Sequence, residues 1–240
     1  MIYGTTFSND RDQIAHTYND WGLLQVGPAV VSPPKVQTKF IDVPGRDGAL
    51  DYTSALDGNV HYESREFSST LRCIANRSEL KAIYSKLLTF LHGRKVKAIC
   101  DDDPNFYWEG RFSCKEPKWR KDGYWEIDVE GTVDPYKYNL RTSMEDWLWD
   151  PFVFETDIAW DYANIEVEEE KEVVVATSSM PTTPIFRLSA PMTMIVNGES
   201  EYSMPEGDST IPGMTLTDTD TTIKFIGTGT VTIGFRGGSL

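Results

Sequence analysis

Cysteine and histidine are scarce in this chain, three of each among 240 residues. Cys73, Cys100 and Cys114 are odd in number and far apart, and no CxxC pair joins them. That pattern excludes a disulfide framework and the usual zinc spacing, and it fits a reducing compartment. The chain is therefore expected to be made and kept in a cytoplasm. No apolar run approaches the roughly 18 residues of a membrane-spanning helix. The first ten residues lack the basic and apolar regions of a secretory signal. A Gly-x-Ser-x-Gly elbow, a P-loop and a Rossmann glycine pattern are missing as well.

Positive charge is also short. Lys and Arg number 23 against 37 Asp and Glu, a net charge of −14. That argues against a sequence-reading nucleic-acid binder, which needs basic patches to neutralise phosphate. The deficit is uneven: net −3 over residues 1–135 and net −11 over residues 136–240. This break predicts two domains, at 1–135 and 165–240, joined by an aromatic-rich segment at 136–164. With 40% hydrophobic and 25% charged residues, the chain has ordinary globular composition.

What is present reads mainly as β. Alternation of apolar and polar residues predicts strands over 61–74, 106–114 and 124–133. In the last, Trp125, Ile127, Val129 and Val133 share one face, with Glu126, Asp128 and Glu130 on a wetter face opposite. Residues 35–43 can extend, as an edge, after Pro33-Pro34. One helix stands out over 78–92. Asn76 and Glu79 have capping-box spacing, an apolar stripe runs from Leu80 to Leu91, and Gly93 sits where a left-handed C-cap belongs. Residues 173–176 are strand-like after the acidic run 166–172. Further on, Asn197-Gly198 predicts a type I′ hairpin between 192–196 and 199–204. Gly227-Thr228-Gly229 is read as the turn of a second hairpin. The chain therefore reads as mainly β: a first half of β-structure interrupted by one helix, and a last third whose many short strands with Gly, Asn and Pro turns point to a β-sandwich.

The residues offer little chemistry. His16, His61 and His92 lie apart, and His92 suits the negative end of the helix dipole. Asp101-Asp102-Asp103-Pro104-Asn105 lacks EF-hand spacing and reads as a solvated turn. No catalytic residue, metal or cofactor is expected. Trp147, Trp149, Trp160 and Tyr162 form either a glycan-stacking platform or interdomain core. The turn Pro44-Gly45-Arg46-Asp47-Gly48 combines a fixed proline φ with two glycines. It serves either as local turn support or as an inter-subunit contact. Glu166 to Glu172 carry net −4 and read as a solvated face.

Particular residues resemble those of a known family. Ile41-Asp42-Val43-Pro44-Gly45-Arg46-Asp47-Gly48-Ala49-Leu50-Asp51-Tyr52-Thr53 is similar to a turn of siphophage distal tail proteins. Asp20-Trp21-Gly22-Leu23-Leu24, the approach Pro33-Pro34-Lys35-Val36, and the order helix, 95–103, aromatic strand 106–114 follow the same family. Trp147-Leu148-Trp149-Asp150-Pro151-Phe152-Val153-Phe154-Glu155 resembles its junction after the first domain. The resemblance covers residues 1–160, with only a following β-sandwich beyond.

The resemblance implies an N-terminal β-sandwich carrying one helix and a β-hairpin extension, followed by a C-terminal β-sandwich of galectin-like or carbohydrate-binding-module-like form. It also implies a structural hub of the tail tip or baseplate and no enzyme. It implies a homo-oligomeric ring, typically a hexamer, that joins the tail tube protein to a tail-associated tip protein and receptor-binding proteins. DNA would pass through without specific binding. Assembly would occur in the host bacterial cytoplasm and the mature place would be the virion tail tip. The alternative is a carbohydrate-binding protein that contacts host cell-wall glycans through its C-terminal sandwich. A glycan hydrolase with an unidentified carboxylate pair is a third.

Overall fold

Residues 3–55, 58–144 and 162–240 are described from a computed structural model of the chain. They belong to two compact units, residues 1–137 and 138–240.

The first unit opens with the short strands β1 (Thr5–Asn9), β2 (Ile14–His16), β3 (Leu24–Gln25) and β4 (Val30–Val31). After the paired β5 (Phe40–Ile41) and β6 (Leu50–Asp51) come β7 (Arg65–Cys73), α1 (Arg77–Leu91), β8 (Lys95–Cys100), β9 (Phe106–Cys114), β10 (Lys118–Arg120) and β11 (Tyr124–Val133). The short β12 (Lys137–Asn139) spans the boundary between the units. An antiparallel sheet runs in the order β2-β1-β8-β9-β11-β7-β3, with β10 beside β11 and β4 beside β7. The predicted strands at 106–114 and 124–133 coincide with β9 and β11. Period two then sorts their side chains. Phe67 and Leu71 of β7, Phe112 of β9, and Ile127 and Val129 of β11 turn to one face and form the core. Phe112 meets Phe7 and Phe67 edge-on, at centroid distances of 5.6 and 5.1 Å. Such pairs add about 0.5–1.5 kcal/mol beyond the area they bury.

The helix begins as its residues dictate. The Asn76 side chain accepts the Ser78 and Glu79 N–H groups, and the Glu79 carboxylate accepts the Asn76 N–H at 3.0 Å. Leu80, Leu87 and Leu91 close over the same core. Each buried leucine contributes roughly 1.5–3 kcal/mol.

The opposite face of β7 and β11 departs from the simple alternation. Glu126 is only 7% exposed and not on a wet surface. Its carboxylate accepts from Arg72 Nε at 3.2 Å and from Arg120 Nε, so cations from both neighbouring strands cover it. Asp128 beside it accepts from Lys118 Nζ at 2.9 Å and Thr70 Oγ1 at 2.9 Å.

The second unit contains β13 (Ile165–Val175), β14 (Ile185–Leu188), β15 (Met192–Val196), β16 (Ser200–Met204), β17 (Gly207–Ser209), β18 (Thr221–Gly234) and β19 (Gly238–Ser239). The acidic run is part of β13 itself and does not precede a strand. Asn197 and Gly198 have φ of 50° and 72°, as a type I′ turn requires, and the Val196 carbonyl accepts the Glu199 N–H at 3.0 Å.

The expected second hairpin is absent: Gly227-Thr228-Gly229 lies inside one 14-residue strand. β13 pairs along its whole length with residues 221–231 of β18, while residues 223–226 of β18 also pair β15 and residues 231–234 pair β14. The two glycines have φ of 148° and 150°, which other residues avoid. A Cβ at Gly229 would lie 2.6 Å from Ser189 Oγ and 2.9 Å from Met192 Cε. The glycines therefore mark a bend over which the sheet curls, not a reversal. Phe186, Met194, Ile223, Phe225, Val231 and Ile233 fill the interior.

Candidate functional site: an exposed arm

Between β4 and β7 the chain leaves the first sheet and returns about thirty residues later as a narrow antiparallel arm. Its lower ladder is made by Glu63 N–H to Lys35 C=O and Gln37 N–H to His61 C=O, each 2.8 Å. Further out, Tyr52 N–H donates to Lys39 C=O at 2.7 Å and Lys39 N–H to Thr53 Oγ1 at 3.2 Å. Phe40 then pairs with Asp51 and Ile41 with Leu50. Thr53 closes the outer ladder: its hydroxyl and N–H hold the Asp51 carboxyl below its ordinary range.

At the tip, Gly45 and Gly48 have φ of 82° and 78°, and the Val43 carbonyl accepts the Arg46 N–H at 3.2 Å. The Arg46 and Asp47 side chains are exposed and make no ion pair among the described residues. Pro44, Gly45, Arg46, Asp47 and Gly48 thus form the far end of the arm.

The arm carries apolar residues on a surface without a core. Val36, Phe40, Ile41, Val43, Tyr52 and Val60 are all exposed, Phe40 to 59%. A two-stranded ribbon is at best marginally stable alone in water. Exposed apolar side chains gathered on such an element mark a surface for another molecule. No pattern in the sequence separates these residues from core residues; their exposure follows from lying on a ribbon that stands outside the first unit's main sheet.

The root is built differently. Arg65 opens β7 on the core-facing side and is 8% exposed. Its Nε donates to Ser32 C=O at 2.5 Å and its Nη1 to Pro135 C=O at 3.3 Å. The guanidinium lies over the Trp108 ring, 4.6 Å from the centroid, and burial lowers its pKa from the ordinary value. Ser32 N–H donates to Glu66 C=O, and Glu66 N–H donates to Ser32 Oγ. Tyr62 and Tyr136 meet edge-on at 5.9 Å.

The other residues singled out from sequence lie elsewhere. Trp147, Trp149 and Trp160 fall outside the described residues. Tyr162 sits in the second unit, its ring 5.6 Å from Phe235, with its hydroxyl accepting Ala176 N–H and donating to Val174 C=O. His16 Nδ1 accepts the Tyr18 and Asn19 N–H groups, so Nε2 carries the proton toward Asp101, 3.2 Å away. His92 Nδ1 accepts the Cys114 N–H at 3.4 Å. Asp103 pairs with Lys137 at 2.6 Å, and no cluster of three metal-binding side chains occurs among the described residues. All three cysteines are free and buried, and burial pushes the Cys100 and Cys114 thiols up to about 12.

This fold is similar to that of SPP1 Dit (gp 19.1), described as a paradigm of the hub adsorption apparatus in Gram-positive infecting phages. The TM-score is 0.63 at 16% sequence identity, covering 98% of this chain and 99% of that one. No family model and no curated protein matches the chain. The likeness to distal tail proteins read from residues 1–160 thus extends, as a likeness of fold, over nearly the whole chain.

Proposed function

We propose that this chain is a structural hub of a phage tail tip, acting through assembly and turning over no substrate. The observation that carries this reading is the arm, on which Val36, Phe40, Ile41, Val43, Tyr52 and Val60 are all exposed. The fold shared with a phage hub protein supports it. In the assembled state the arm of one copy lies against the next and closes a ring, with six copies as the expected number. The ring joins the tail tube to a tip protein and to receptor-binding proteins, and DNA passes through without being held. Assembly takes place in the host cytoplasm, and the mature protein resides at the virion tail tip.

Each copy carries −14, so ring closure works against self-repulsion. Salt screens that repulsion while apolar burial persists, so the ring is expected to strengthen from low to moderate salt. Light scattering coupled to size exclusion tests the reading. The chain should reach a ring-sized mass, and F40D combined with I41D should leave a folded monomer with unchanged circular dichroism. A chain that stays monomeric at high concentration in moderate salt, with tail proteins added, would sink the proposal.

A further inference from the structure

In β7 the alternate residues Phe67, Leu71 and Cys73 face the core, and Arg65 occupies the same register. A guanidinium there is costly, because a charge loses its hydration on burial. Arg65 makes no ion pair with a carboxylate among the described residues. Its compensation comes from two carbonyl oxygens and an indole face. Replacing it by an apolar residue would suit the core better, so its retention there points to what the two carbonyls belong to.

Ser32 is the last residue of the outgoing limb before Pro33 and Pro34, which have no N–H to donate. Between the Ser32–Glu66 pair and the Glu63–Lys35 bond, that limb therefore supplies no ladder donor of its own. Pro135 lies where the chain leaves the first unit. Arg65 itself ends the returning limb. One side chain thus ties both limbs of the arm to each other, to β9 through Trp108, and to the segment after β11. A planar fork that donates in two directions while lying flat on an indole suits this task, and a lysine ammonium does not.

We infer that Arg65 is a positioning residue that aims the arm: it holds both roots in one geometry, so that the apolar tip is presented in a fixed direction. The gain is pre-organisation, since an arm already ordered loses less freedom on docking. The inference takes the arm to be the docking element, as in the hub reading, but its test does not require a ring.

Hydrogen exchange on the full chain, at a concentration where it is monomeric, separates the arm from the sheet. In R65M the amides of Phe67 and Ile127 should keep their protection. Those of Gln37, Tyr52 and Glu63 should exchange about tenfold faster, as expected for losing charged hydrogen bonds at the root. R65K should do the same to a smaller degree. Unchanged arm exchange in either variant that retains sheet protection overturns the inference. So does loss of sheet and arm protection together in both variants, which would make Arg65 a core-folding residue. If the arm loosens as expected but the parent never forms a ring, the hub reading fails and the role of Arg65 stands.

Discussion

Replacing Gly229 by alanine tests the bend in β18 directly. The backbone there has φ of 150°, and the new Cβ would fall 2.6 Å from Ser189 Oγ and 2.9 Å from Met192 Cε. Ser189 cannot simply withdraw, because its hydroxyl accepts the Thr230 N–H at 2.8 Å and its own N–H donates to Thr230 C=O at 3.0 Å. Strained backbone costs about 1–3 kcal/mol and overpacking about 1–3 more, so G229A should lose roughly 2–6 kcal/mol. Gly198 provides the control. It has φ of 72°, but a Cβ there meets nothing within 4 Å, so G198A should cost only about 1–2 kcal/mol. Urea unfolding followed by far-ultraviolet circular dichroism reads both, with the slope checked for constancy. If residues 227–229 formed a surface turn, the two variants would be equivalent. A G229A cost no larger than that of G198A refutes the bent continuous strand.

Acid should weaken the first unit through Glu126 and Asp128. Burial pushes the Glu126 carboxyl up, but hydrogen bonds and charge from Arg120 and Arg72 outweigh it and leave it below its ordinary value; Asp128 is lowered chiefly by Lys118. Their folded values lie below the unfolded ones, so their stabilisation is fully present above about pH 5 and is lost as pH falls through the lowered values. E126Q should show a smaller drop in melting temperature between pH 7 and pH 3 than the parent, and an equal drop would contradict this. Alkylation by iodoacetamide at pH 8 should leave all three cysteines unmodified in the folded chain and label all three in urea, as checked by intact mass.

Legibility of the fold followed the range of the interactions involved. The helix is readable because its caps and stripe, Asn76 to Gly93, lie within eighteen residues. β9 and β11 were readable because each has one buried face and a period of two. The Gly227-Thr228-Gly229 segment reads as a reversal because glycines serve both reversals and bends, and only pairing with residues 165–175, far away in sequence, distinguishes them. Glu126 was placed on a wet face because its burial depends on Arg72, 54 residues away. The tip of the arm was legible from its proline and glycines. Its apolar residues are not, since their exposure is set by the ribbon's standing outside the first unit's main sheet. Arg65 is not legible in the sequence either: its partners lie 33 and 70 residues away and are backbone carbonyls, which any sequence supplies.

The way β18 is shared also bears on how the second unit is made. β13 pairs only with β18 among the described residues, and β14 and β15 both need the same strand to complete their half of the sheet. The first unit has all its central strands by Val133, so it can close while the rest of the chain is still on the ribosome. The second unit can hold only its β15–β16 hairpin and the β14–β17 pair until residues 221–234 emerge, near the end of translation. Until then Phe186 and Met194 have no interior to enter. A nonsense change just before Thr221 would therefore remove the interior of the whole unit rather than trim its edge, leaving the first unit followed by two strand pairs and a β13 with no central strand to join them.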